Sequence, residues 1–356
     1  MKQMHSIGWD IGGAHVKAVA LDQAGEVSAI FLLPCPLWKG MEQLQKSVTD
    51  IMEALPAAQY RHAITMTGEL VDLFENREDG VKQILATMSE LLPAGELYVF
   101  AGETDLLNAK GVKEEHYQAI ASANWLASAI FVAQKIGNGL FIDIGSTTTD
   151  ILLLNDGKVK AQGYTDYQRL ITQELIYTGI IRTAVMAVAQ TALDDDNEIG
   201  IMAEYFATMA DVYRVTGELN ESHDHTETAD GAEKTIIASA RRLSRMIGCD
   251  FYPDELPRWR KFAKNIRTQQ LKKIQSGCER HISNGNISNN SPLIGAGVGR
   301  FLVKQLAQNL EHPYLDFSEL FPIATTHAGI TTADCAPAMA VACLAIRSNP
   351  SKVSLL

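Results

Sequence analysis

Residues Gly139–Leu154 read GLFIDIGSTTTDILLL. An apolar strand pattern stops at Asp143, passes through Gly145-Ser146-Thr147-Thr148-Thr149-Asp150 and turns apolar again. A plain hairpin asks only for a turn pair such as Asn-Gly. Four consecutive hydroxyl residues behind an Asp-x-Gly offer more. Backbone amides and hydroxyls there can converge on an oxyanion, with a carboxylate beside them for a metal.

The same design occurs earlier in the chain. Ile7–Val27 reads IGWDIGGAHVKAVALDQAGEV, and Leu140–Val159 reads LFIDIGSTTTDILLLNDGKV. Placing Asp10 on Asp143 puts Gly12 on Gly145, Leu21 on Leu154 and Gly25 near Gly157, with one extra residue in the first copy. Each copy predicts a strand, the Asp-x-Gly turn, a second strand, a polar Gly turn and a third strand. The third strands are Val27–Leu33 and Val159–Tyr164. A duplicated meander predicts two similar α/β domains.

After the first copy, helices at Met41–Leu55 and Asp79–Leu92 alternate with strands at His62–Met66 and Leu97–Phe100, which gives a mixed sheet flanked by helices. The second half carries extra helices, expected at Asn197–Val215, Glu233–Ile247 and Asp254–His281, around a polar loop at Thr216–Ala232. SPLIGAGVGR (Ser291–Arg300) then reads as a short strand running into Gly295-x-Gly297-x-Gly299 and a helix over Arg300–Leu310. A Gly-rich strand-to-helix turn is equally explained by close packing. APAMAVACLAIR (Ala336–Arg347) predicts a small-residue helix suited to tight packing.

Composition sets the outer limits. The 356 residues suffice for two domains with a sizeable core, and 46% hydrophobic against 21% charged is globular. No apolar run approaches the roughly 18 residues of a membrane helix, and the first residues lack a signal-peptide design. Five cysteines, Cys35, Cys249, Cys278, Cys335 and Cys343, form no CxxC. That pattern favours reduced thiols and a cytoplasmic location.

The net charge of −11 is concentrated: between Asp194 and Glu233 there are 12 acids against Arg214 alone. From Lys234 to Arg280 the balance reverses, with 12 Lys and Arg against 4 acids. Two solvated helical faces meeting each other explain this better than nucleic acid, which calls for a basic domain with interleaved aromatics.

Two Asp-x-Gly hairpins followed by a Gly-x-Gly before a helix resemble the actin, sugar kinase and Hsp70 superfamily over the whole chain. That resemblance implies an α/β protein of two RNase H-like domains with mixed sheets around an interdomain cleft and a helical insertion in the second. The first domain would span residues 1–136, completed by 334–356; the second would span 137–333, with its insertion at about 194–285. In that superfamily the hairpins hold phosphates and magnesium. Here Ala14 stands where the first turn usually carries Thr or Ser. Magnesium is therefore the implied cofactor, while ATP is left open.

Longer motifs narrow the resemblance. TMTGELVD (Thr65–Asp72), NREDGV (Asn76–Val81), ASANWLASA (Ala121–Ala129), YTGIIRTAV (Tyr177–Val185), EYFATMADVYRVTGEL (Glu204–Leu219) and TADG (Thr228–Gly231) are similar to hydantoinase/oxoprolinase-related proteins of tetrahydromethanopterin-linked one-carbon metabolism. The resemblance implies a transferase of methanofuran or methylofuran biosynthesis. Such an enzyme moves an (aminomethylfuranyl)methyl group from its diphosphate to a phenol oxygen, of glutamyl-tyramine or tyrosine type, and releases pyrophosphate.

Departure of diphosphate spreads positive charge into the furan and leaves negative charge on oxygen, which preorganised donors and a metal stabilise. The phosphate-binding candidates are Gly12, Gly13, Gly145, Ser146, Thr147, Thr148, Gly295 and Gly297. Asp10, Asp143 and Asp150 are the magnesium candidates, and Lys17 adds a cation. The phenol, with a reference pKa of roughly 10, needs a base, for which Glu69 comes first and Glu103 second. Asp72 or Asp211 could serve the furan amine; Arg77, Asn124 and Arg182 complete the substrate-binding set. Each has a plainer reading: turn caps for the aspartates, a helix-dipole partner for Glu69, surface ion pairs for the arginines.

His223-Asp224-His225 looks metal-like but lacks further clear ligands. The 194–280 segment is expected to close over the cleft as a lid, its basic residues Arg241, Arg242 and Arg245 nearest the diphosphate or acidic helices. The expected partners are small molecules, with no nucleic acid and no membrane; a homodimer is left open. The competing readings are an ATP-dependent kinase or ring hydrolase, and a non-enzymatic actin-like protein. Turnover of ATP to ADP distinguishes the first, and nucleotide-dependent sedimentation the second.

Overall fold

The first Asp-x-Gly turn joins β1 (His5–Ile11) to β2 (His15–Leu21) in the computed structural model, which describes residues 5–92, 96–285, 287–321 and 329–347. The pair is antiparallel, and β3 (Val27–Pro34) adds antiparallel outside β2. The chain crosses through α1 (Glu42–Ala54) to β4 (Tyr60–Met66), which lies parallel to β1. It crosses again through α2 (Arg77–Leu91) to β5 (Glu96–Phe100), parallel to β4. β6 (Leu106–Asn108) closes the edge, giving the order β3-β2-β1-β4-β5-β6.

Covered on both faces, β1 and β4 are almost wholly buried, although they carry Ser6, Asp10, His62 and Thr65 among their apolar residues. Leu44, Val48 and Ile51 form the core stripe of α1, and Asn76 caps α2 by accepting from the Asp79 amide at 3.0 Å. After α3 (Tyr117–Ile120), α4 (Asn124–Ile136) ends at Gly137 with φ of 83°.

The second copy starts as the first did, with a hairpin of β7 (Gly139–Ile144) and β8 (Thr149–Asn155). Its third strand departs from the expected Val159–Tyr164. β9 (Lys158–Val159) pairs only with the far end of β8, while β10 (Leu175–Ile176), arriving after α5 (Asp166–Thr172), pairs with Thr149 and Asp150. The cause is local. Thr165 caps α5 by accepting from the Gln168 amide, and the Glu174 carboxylate accepts from the amides of Gln162 and Gly163, which draws the chain off the edge.

The insertion also differs from its reading as helix over Asn197–Val215. After α6 (Val185–Val188), β11 (Thr191–Asp194) and β12 (Asn197–Gly200) form a hairpin through Asp195 at φ 51°, a left-handed position that Asp tolerates. Helix α7 (Met209–Thr216) begins only at the Thr208 capping box. Next come α8 (Ile236–Arg245) and α9 (Leu256–Gly285), one continuous 30-residue helix. β13 (Leu293–Ala296) runs parallel to β7, followed by α10 (Arg300–Asn309) and β14 (Tyr314–Asp316). The order β10-β8-β7-β13-β14 repeats the pattern of the first sheet.

Two compact units result. One comprises the chain up to Gly137, Leu154–Val159 and the chain from Asp316 on; the other comprises Asn138–Leu153 and Lys160–Leu315. The return to the first unit is marked by Phe317 and Phe321 packing on Phe131, with the Phe131 and Phe321 rings stacked at 5.4 Å. α11 (Ala336–Arg347) then presses on β1: a Cβ at Gly8 would lie 1.9 Å from the Ala338 carbonyl oxygen. Ser6 Oγ donates to the Ala342 carbonyl. Residues 348–356 of the expected closing segment lie outside the described residues.

The acidic and basic halves of the insertion meet each other. Arg258 pairs with Asp194, Arg267 with Glu218, Arg242 with Asp211 and Asp230, and Arg245 with Asp230. Arg241 is exposed. Among the described residues no single helix is long and apolar enough to cross a membrane, and none of the five cysteines forms a disulfide.

Candidate active site

In the first unit Asp10, 3% exposed, ends β1 with Lys17 directly opposite on β2 and Thr65 beside it on β4. Lys17 Nζ lies 3.4 Å from Asp10 Oδ2, and Asn124 Nδ2 donates to Asp10 Oδ1 at 3.4 Å from the start of α4. These three predicted residues therefore form one cluster. The turn beside them is backbone-rich. Gly12 N–H donates to the His15 carbonyl, while the carbonyls of Gly13 and Ala14 accept from Leu37 and Cys35. A Cβ at Gly13 would meet Val71 at 2.7 Å, so this turn sits against the TGELVD segment.

Glu69 belongs to a 3₁₀ turn after β4 rather than to a helix N-terminus. It is 1% exposed, and its Oε1 accepts from Ser122 Oγ at 2.7 Å. Ser122 holds φ at 52°, an uncommon place for a serine. The NREDGV motif explains itself here. A Cβ at Gly80 would lie 2.8 Å from Glu69 Cα, so glycine lets α2 press on the Glu69 turn. Asp72 and Glu103 are exposed, and Arg77 is half-buried in the first turn of α2.

In the second unit the turn after β7 is closed by Gly145 N–H donating to the Thr148 carbonyl at 2.8 Å. Ser146 and Thr147 hydroxyls lie 3.4 Å apart. The YTGIIR segment is laid along this turn. Ile180 N–H donates to the Gly145 carbonyl, and the amides of Ile181 and Arg182 both donate to the Ser146 carbonyl. A Cβ at Gly179 would come within 2.4 Å of Ser146 C and Thr147 N, so only glycine fits. Thr149 Oγ1 fixes the other side by donating to the Thr178 carbonyl at 2.7 Å.

The third motif folds onto the same turn. Gly297, at φ 79°, passes so close to Asp143 that a Cβ would lie 2.3 Å from its Oδ1. Gly299 N–H donates to the Ile144 carbonyl. Gly295, however, is a buried residue of β13 under Tyr314 and Val303, and these explain its lack of a side chain by packing.

Two of the expected site residues, Asp150 and Asp211, are held in ion pairs within the second unit. Asp150 accepts from Arg169 Nη2 at 2.7 Å, and Arg169 is 1% exposed, so a buried guanidinium already neutralises this candidate metal ligand. Asp211, 2% exposed, caps Thr208 N–H and accepts from Ser239 Oγ and Arg242 Nε, with Arg214 Nη1 at 3.8 Å. That network ties Asp211 into the packing of the second unit. Burial, with the charge of Asp211, raises the Tyr205 phenol above its ordinary pKa, and the nearby charge of Arg182 partly opposes them. His223 and Asp224 are buried, with Asp224 bound to Arg214 at 2.6 Å. Among the described residues no group of three His, Cys, Asp or Glu gathers as metal ligands.

Ser122, Gly179 and Gln270 escaped the sequence reading. For Gln270 a signal existed: on α9 it interrupts the buried row Ile266, Gln270, Ile274, Cys278.

Paired units with this strand order, each opening on an Asp-x-Gly hairpin, define a protein of the actin/sugar kinase/Hsp70 fold. The chain belongs to the hydantoinase/oxoprolinase family, whose model matches residues 61–341. It is 30% identical, over 245 residues, to the (4-{4-[2-(gamma-L-glutamylamino)ethyl]phenoxymethyl}furan-2-yl)methanamine synthase of Methanocaldococcus jannaschii, covering 68% of this chain and 72% of that one. The synthase of the same name from Methanococcus vannielii is 35% identical over 123 residues, which are 34% of this chain and 55% of that one. A nucleotide-free acetone carboxylase structure superposes with a TM-score of 0.57 at 12% identity, over 96% of this chain and 70% of that one, and shows the likeness of fold.

Proposed function

We propose that this protein forms the aryl ether bond of a methanofuran-type cofactor, joining an (aminomethylfuranyl)methyl diphosphate to a phenol and releasing pyrophosphate. The observation that carries this reading is the 30% sequence identity to the M. jannaschii synthase over more than two thirds of both chains. The name of that synthase contains a phenoxymethyl group on a furan, hence a new bond between a phenol oxygen and a furfuryl carbon. In such a step the phenol loses its proton to a base and its oxygen bonds to the carbon. The bond from that carbon to diphosphate breaks, with the electron pair leaving on pyrophosphate.

The second hairpin suits the leaving group. No described group accepts from the amides of Ser146 and Thr147, and the Asp143 carboxylate, near the end of the strand that leads into this turn, lies against Gly297. The carboxylate set suits magnesium carried in by the diphosphate, because this ion keeps several waters and takes only one or two protein carboxylates. Asp143 would hold it there, with Asp10 the matching group of the first hairpin; bound magnesium would neutralise charge on the departing oxygens. Asp150 is no longer needed for this. Lys17 offers a cation beside Asp10, and Glu69, oriented by Ser122, is the base we assign to the phenol.

Purified protein should be given the furanylmethyl diphosphate, magnesium and either glutamyl-tyramine or tyrosine. One pyrophosphate per ether, without ATP, is the expected result. Steady substrate-dependent conversion of ATP to ADP with no ether formed would overturn the reading in favour of a kinase or ring hydrolase.

A further inference from the structure

We infer that Gln270, with Tyr213 behind it, is a positioning residue that aims and polarises the Ser146 amide at the anion. This rests on the reading of the second hairpin as the pyrophosphate site. Gln270 and Tyr213 are completely buried, deep in the insertion and away from the turn in sequence. Burying a primary amide costs several kcal/mol unless its donors and acceptor are satisfied. Here all are. Tyr213 Oη donates to Gln270 Oε1 at 2.5 Å, and Gln270 Nε2 donates to Thr178 Oγ1 at 2.7 Å and to the Gly179 carbonyl at 2.9 Å.

From there the chain of bonds continues through peptide planes. The Gly179 carbonyl and the Ile180 N–H belong to one trans peptide, so they point in opposite directions. Ile180 N–H donates to the Gly145 carbonyl at 3.1 Å. The Gly145 carbonyl in turn shares its peptide with the Ser146 N–H, which must therefore face away from the clamping segment. The Ser146 carbonyl is clamped likewise by Ile181 and Arg182, which fixes the Thr147 N–H.

Every link runs donor to acceptor in one sense: Tyr213 hydroxyl, Gln270 amide, the 179–180 peptide, the 145–146 peptide, and finally the Ser146 N–H. Aligned hydrogen bonds polarise one another, so the last N–H becomes a stronger donor than an isolated amide. An apolar pair such as Leu and Phe would fill the same core without this alignment. The polar pair thus has a purpose beyond packing.

The test measures magnesium pyrophosphate affinity by calorimetry on the full-length chain, with thermal melting and the KM of the phenol followed in parallel. Gln270→Leu should raise the pyrophosphate Kd about tenfold, as for loss of one aligned donor. Tyr213→Phe should raise it by a smaller factor, and the double variant should match Gln270→Leu, because Tyr213 acts only through Gln270. The KM for the phenol should stay unchanged in all three. Gln270→Leu that melts lower yet binds pyrophosphate as tightly as wild type would overturn the inference, reducing Gln270 to a packing residue. Independent, additive effects in the double variant would overturn it as well. Should Gln270→Leu fail to fold, Tyr213→Phe decides alone: unchanged pyrophosphate affinity would overturn the inference. Wild-type protein that does not bind magnesium pyrophosphate would instead overturn the proposed function, and the inference with it.

Discussion

Asp143 meets Gly297 where no side chain could stand, and Gly179 rides over Ser146 and Thr147 on the same terms. Asp143→Asn keeps the size and capping ability of the side chain but removes its charge. Its kcat should fall by about a hundredfold or more, as for loss of one preorganised electrostatic element, with an unchanged melting temperature. Thr148→Val, which removes one hydroxyl donor, should cost about tenfold in the same assay. Gly179→Ala adds a methyl where Ser146 C lies at 2.4 Å, so the YTGIIR segment must lift. Pyrophosphate binding should weaken, and stability should drop by about 1–3 kcal/mol, as for overpacking. Unchanged melting of Gly179→Ala would contradict the close approach. Asp10, Gly12, Asp143 and Gly145 were legible in sequence because a hairpin gathers its residues locally. Gln270 and Ser122 were not, since their partners lie 91 or 92 and 53 residues away along the chain.

At the scale of elements, α7 and α8 are locked by Asp211 between Arg242 and Arg214, all essentially buried. Breaking one member of such a buried set leaves uncompensated charge. Asp211→Asn should therefore destabilise the protein by about 3 kcal/mol while leaving the KM for the furanyl substrate unchanged in the folded fraction. A raised KM without loss of stability would instead mark Asp211 as a substrate acid. The element pairing β1 to β4 carries a pH dependence. Trp9 Nε1 donates to His62 Nδ1 at 3.2 Å, and burial lowers the His62 pKa to about 4. The unfolded chain therefore takes up this proton more readily than the folded one. The contribution is present above pH about 6.5 and is lost as the pH falls towards about 4, at most about 3 kcal/mol. Denaturant unfolding at several pH values checks this, and His62→Phe should flatten that limb. The long strands and α9 were legible because periodicity persists over their length. The β11–β12 hairpin was not, because an acidic DDDN stretch has no strand signature and the left-handed Asp195 is set by the pairing itself.

At the scale of the whole molecule, the duplicated strand order was readable because the two Asp-x-Gly stretches align residue for residue. The acidic and basic runs of the insertion were also readable as mutually paired faces, now seen in Arg258–Asp194 and Arg267–Glu218. The displaced third strand of the second sheet was hidden, because Glu174 and Thr165 redirect the chain by contacts that no period reveals. In the proposed reaction carbon, not phosphorus, is attacked. The most direct measurement is to label the phenol oxygen of the acceptor with heavy oxygen and follow it by mass spectrometry. Attack at carbon leaves the label in the ether, with one unlabelled pyrophosphate per turnover. Label bonded to phosphorus, in a phosphorylated phenol, would contradict it.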